Sequence, residues 1–173
     1  MKTIYLKINC VLCFFFLVNY TLTAQKTHDN SIQKSEMAKI SFLEGDWKGS
    51  GWIMRQDRKK HYFEQSENVI LTLNGTAILI EGIGKQERDT VHHALAIINY
   101  DTEKQEYNFR SYLKDGKSGD SKMELLDEKL YWYPTSYIRY IISINENNEW
   151  IEIGEINKAD NWYKFFEMKL TKL

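Results

Sequence analysis

Cysteine is nearly missing from this 173-residue chain: it has two, Cys10 and Cys13, both within the first 24 residues. There Lys2 and Lys7 precede the apolar stretch Val11 to Val18, which ends near the small residue Ala24. That order of positive, apolar and small residues reads as a signal peptide over 1–24. Export therefore removes both cysteines, and with them a redox reading of their C-x-x-C spacing and any disulfide in the mature protein. The periplasm or the medium is the expected destination. The apolar stretch falls well short of the roughly 20 residues that cross a bilayer, and no later segment comes closer, so no retained membrane span is expected.

Charge of one sign is lacking too. Removing Lys2 and Lys7 from the 23 basic residues leaves 21 against 24 acidic ones, so the exported part carries about -3. Without a basic stripe, neither nucleic acid nor an anionic membrane surface is an expected partner. Proline occurs once, as Pro134, which we place in a turn. Catalytic motifs are missing as well: no G-x-S-x-G elbow, phosphate-binding glycine loop, H-E-x-x-H or mature cysteine nucleophile. A metal site is not expected either; the turn KDGKSGD lacks calcium-loop spacing. These gaps argue against an enzyme.

What remains is patterned for strands. After a polar leader, 25–30, apolar residues Ile32, Met37, Ile40 and Leu43 fall at near-helical spacing, which predicts a short helix stopped by Gly45 and placed at a barrel mouth. Beyond it come ten short runs rich in Ile, Tyr, Phe, Trp and Thr, separated by Asn, Asp, Gly and Lys clusters. Asn74-Gly75 between the second and third run is a hairpin signal. No connection is long enough for a crossover helix, so the sheet is antiparallel. Closure removes the two unpaired edges of such a meander. We therefore expect one all-β domain over 31–173, an up-and-down barrel of about ten strands, in preference to a sandwich.

The run Gly45-Asp46-Trp47-Lys48-Gly49-Ser50-Gly51 resembles the G-x-W-x-G-x-G opening of calycin or lipocalin-like barrels, nearest to nitrobindin-like and related exported domains of unknown function. Leu73-Asn74-Gly75-Thr76 and the AIINYD run ending at Asp101 add to the likeness. The resemblance implies a ten-stranded barrel with Trp47 packed at one end under a basic residue of the last strand, Lys164, Lys169 or Lys172. Nitrobindin-like domains hold haem through a histidine on a late strand. Here the last histidine is His93, so haem is not carried over and no cofactor is expected.

Several side chains invite a binding role. His92 and His93 are adjacent in a strand and point to opposite faces, so they do not share one metal. Glu81 follows an apolar run; turned inward it would need a partner, turned outward it is solvated. Glu152 and Glu155 raise the same question, whereas Glu64 and Glu67 face opposite sides and make no carboxylate pair. Arg110 with Tyr112, and Arg139, would anchor a ligand carboxylate if they faced inward. Trp47, Trp52, Tyr133 and the other aromatics would line a pocket or fill a core. The candidate ligand-binding set is thus Trp47, Trp52, Glu81, His93, Arg110, Tyr112, Tyr133 and Arg139. The leading expectation is a non-catalytic exported barrel holding a small, largely apolar ligand in its lumen or mouth. The alternatives are a filled barrel serving as a structural or interaction module, and an enzyme using Glu81, a histidine and an arginine.

Overall fold

A computed structural model describes residues 29–173; the expected signal peptide and most of the expected leader lie outside them. The chain forms helix α1 (Ser31–Lys39) and a 3-10 turn (Ser41–Leu43). Ten strands follow: β1 (Gly45–Met54), β2 (Lys60–Thr72), β3 (Ala77–Gln86), β4 (Asp89–Asp101), β5 (Glu106–Leu113), β6 (Ser118–Leu126), β7 (Lys129–Thr135), β8 (Ile138–Ile144), β9 (Trp150–Lys158) and β10 (Asn161–Lys172). Each pairs antiparallel with its neighbours in sequence, and β1 pairs with β10, closing the barrel. This is the expected all-β, up-and-down architecture, with strands within a few residues of the expected runs.

Two local expectations are corrected and a third holds. The helix ends at Lys39, and Gly45 does not stop it but opens β1 with φ 128°. The chain changes from α to 3-10 at Ile40, which buries Ile40 and Leu43 beside Met37, all at 0% exposure. Pro134 lies within β7, not in a turn. The β7–β8 register shifts between Trp132 and Thr135, so its missing N–H falls at a bulge and breaks no regular ladder. Asn74-Gly75 does connect a hairpin, but through a four-residue turn in which Leu73 and Asn74 both have positive φ.

Along β1 to β3 burial alternates, and one face of each strand points into the barrel. The end bearing α1 is solid. Met37, Ile40 and Leu43 pack onto a core that includes Trp47, Ile78, Ile98, Leu130 and Leu170. The Tyr107 hydroxyl donates to the Glu36 carbonyl at 2.9 Å and ties the helix to β5. Trp47 Nε1 donates to the Leu43 carbonyl at 2.8 Å, its ring meets Trp150 edge-on at 5.7 Å, and Lys172 Nζ stands 5.3 Å above it. Lys172 is thus the basic residue from the last strand.

Gly49 and Gly51 explain the glycines of the opening run. A β-carbon at Gly51 would lie 2.6 Å from the Glu167 carbonyl oxygen and 2.6 Å from the Phe63 ring, and one at Gly49 would strike the β10 backbone. Their bareness lets β1 press against β10 where the sheet coils to close.

Candidate functional site

At the end opposite α1 the barrel is open inside. A cavity of about 350 Å³ runs from the mouth, near Arg55, His61 and Val91, to a floor at Trp150, Glu152 and Met168. Small lining residues make the space: Gly82 on β3, Ala94 and Ala96 on β4, and Ser111 on β5.

One wall is a run of aromatic rings. Phe109 stacks on Trp132 at 4.9 Å, and Trp132 stacks on Tyr140 at 4.3 Å and 9°. Tyr140 meets Phe166 edge-on at 5.4 Å, and Phe166 stacks on Phe63 at 5.7 Å. Strands β5, β7, β8, β10 and β2 thus offer one continuous apolar surface, the kind that envelops a ligand's body.

The polar groups gather deeper. Glu67 on β2 and Glu152 on β9 both line the cavity, and both are buried. Gln65 Nε2 donates to Glu67 Oε1 at 2.6 Å, and Trp132 Nε1 donates to Glu152 Oε1 at 3.3 Å. Burial pushes the Glu67 carboxyl up to about 7, against the pull of the Gln65 hydrogen bond. Burial also pushes Glu152 up to about 8, with the nearby charge of Glu67 adding to the rise. The indole N–H of Trp150 partly offsets that rise, but its geometry falls short of a hydrogen bond. It stays buried without a partner. His92 faces the upper cavity, and burial, then the nearby His93 and Lys114, hold its pKa below the ordinary value. That shift favours the uncharged ring.

Of the eight residues in the candidate ligand-binding set, the structure places Trp47 inside, in the solid half below the cavity. The others lie on the outer face. Glu81 and His93 bond to each other at 2.9 Å, both more than 40% exposed. Arg110 is held by Asp120 at 2.8 Å and by the Tyr112 hydroxyl at 2.9 Å. Arg139 pairs with Glu155 at 2.7 Å over the Trp162 ring, Trp52 lies under Lys60, and Tyr133 stands near Glu124. These pairs share no concavity. The residues that the barrel does bring together, Gln65, Glu67, His92, Trp132, Tyr140, Trp150 and Glu152, come from five strands. Glu64 points outward, away from Glu67.

A haem held by a late-strand histidine does not fit this lining: strands β5 to β10 contain no histidine, and the lining imidazoles, His61 on β2 and His92 on β4, belong to early strands. Among the described residues no three His, Cys, Asp or Glu side chains gather as metal ligands. No described helix is long and apolar enough to cross a membrane.

Fold and site together define a closed ten-stranded, antiparallel up-and-down barrel with a half-filled interior. The chain is similar in fold to the crystal structure of Rv2717c from M. tuberculosis, with a TM-score of 0.57 at 8% sequence identity over 79% of this chain and 96% of that one. No protein-family model matches the sequence, and no curated protein matches it.

Proposed function

We propose that the protein is exported and that its barrel holds a small, largely apolar molecule in the lumen without transforming it. The observation that carries this reading is the cavity of about 350 Å³ behind a continuous aromatic wall, closed at one end by α1 and its core. Its size is that of a small-ligand pocket, typically about 300–1,000 Å³. Stability that a solid barrel would gain from packing is forgone there. Native mass spectrometry of protein purified from its own host is expected to show one added small mass, lost on denaturation. Repeated absence of any such mass, with a cavity that stays water-filled at high resolution, overturns the reading.

The two buried carboxyls favour a second reading, an acid–base enzyme, because their pKa values sit near neutrality, where a proton is easily given and taken. Incubating the co-purified molecule with fresh protein separates the two. A carrier returns it unaltered; an enzyme converts it.

A further inference from the structure

The floor of the cavity holds acid without base. Glu67 is met by the Gln65 amide and Glu152 by the Trp132 indole, both neutral donors. The other titratable groups in the lining are Tyr140 on β8, His92 on β4, and Arg55, His61 and Tyr62 at the mouth; β1, β3, β5, β7 and β10 contribute none. His61 is engaged with Asp57 at 2.8 Å, and Tyr62 is 66% exposed. No cation of the protein therefore stands at the floor among the described residues.

That arrangement selects a guest by charge. An anion would bring a third negative group into a space that already struggles to ionise two. A neutral apolar molecule would leave both carboxyls as they are. A protonated amine makes charge-assisted hydrogen bonds to carboxylates, and its apolar part meets the aromatic wall. A second observation, at the indole beside Glu152, points the same way to a polar guest. Trp150 is 2% exposed and lines the cavity, yet its Nε1 has no hydrogen-bond acceptor. An unpaired buried donor is costly, and a ligand oxygen beside the amine satisfies it.

We propose that the ligand, on the lumen-binding reading above, is a small organic amine, a monocation bearing a hydroxyl or carbonyl oxygen close to its nitrogen, held between Glu67 and Glu152 with its apolar part on the aromatic wall. It enters as the ammonium ion. A carboxyl proton leaves to solvent as it binds, so the charge of the site is conserved.

Two isosteric probes test this by isothermal titration of the purified protein: 2-amino-1-phenylethanol, and 1-phenylethane-1,2-diol, in which a hydroxyl replaces the ammonium group. At pH 8 the amine is expected to bind about tenfold or more tightly than the diol, the gain of one charge-assisted hydrogen bond. Its affinity rises from pH 6 to pH 8, and titrations at pH 7 in buffers of different ionisation enthalpy show about one proton released. In Glu152→Gln the preference falls to within about threefold while diol binding persists, because the amide keeps the shape and removes the charge; Glu67→Gln is the second variant, read in the same way. A diol that binds the wild type as tightly as the amine overturns the amine assignment and leaves the lumen reading standing. Binding of neither probe overturns the assignment, and only a missing co-purified mass then removes the lumen reading as well.

Discussion

The carboxylate of Glu67 occupies the space that a side chain at Gly82 would fill: a β-carbon there would lie 2.6 Å from Oε2 and 2.7 Å from Oε1. The two residues are directly paired between β2 and β3, so the glycine is the condition for an acid inside the barrel. Gly82→Ala is expected to cost about 1–3 kcal/mol through overpacking. Combining it with Glu67→Ala, which vacates the space, should recover most of that loss in urea denaturation; equal loss in the single and double mutants would show that the contact is not the cause.

Stability should fall as pH rises. Glu67 and Glu152 titrate in the folded protein at about 7 and about 8, above their ordinary 4.5. The folded state therefore binds more protons than the unfolded state between about pH 4.5 and 8, and the slope of unfolding free energy against pH is negative there. Full deprotonation costs on the order of several kcal/mol. Glu152→Gln should flatten the decline and be more stable than the wild type at pH 9, as read by thermal melts across pH. A wild type as stable at pH 9 as at pH 5 would count against buried, protonated acids.

One hydroxyl adds a polar tie to the apolar packing of the plug. Tyr107→Phe removes the bond to the Glu36 carbonyl and is expected to cost about 1 kcal/mol. Because α1 has no other polar tie of this kind to the barrel wall among those described, amides in 31–39 should exchange faster in the mutant while those of β4 and β9 keep their protection.

Trp47 ties the opening run to the 3-10 turn. Trp47→Phe keeps an aromatic ring but loses the bond to the Leu43 carbonyl, for an expected loss of about 1–3 kcal/mol. Lys172→Met removes the charge above the ring and should cost under about 1 kcal/mol, since an exposed cation–π contact is weak.

The outer pairs should be quiet. His93→Ala and Arg110→Ala each break an exposed ion pair and are expected to shift stability by less than about 1 kcal/mol. Lumen binding should be unchanged in both, as judged with the same amine probe; a loss there would move the site to the outer face.

Strand number, antiparallel order and closure were legible in the sequence because period-two patterning and turn residues are local. The site was less so, for reasons visible in particular strands. On β2 the alternation of Phe63, Gln65, Glu67 and Val69 put two polar residues on an apolar face, a readable sign that they lie inside. On β9 the pattern pointed the wrong way: Ile151 and Ile153 share one face, yet the buried positions are Trp150, Glu152 and Gly154. The inward acid was hidden because the isoleucines find packing on the outer surface, beside Ser143 and Ile141 of β8.

By itself, then, the sequence determined a cysteine-free β-meander that follows an apolar N-terminal stretch, with Trp47 and two glycines opening it. Only the closed barrel decided which face of each strand is inside and which distant side chains meet. Closure joins β1 to β10 and so fixes the register that carries Glu152 of β9 into the same space as Glu67 of β2, and the solid plug at one end leaves that space at the other. A pair of acids drawn from strands 85 residues apart has no local signature, because neither residue's neighbours in sequence record the burial that raises its pKa.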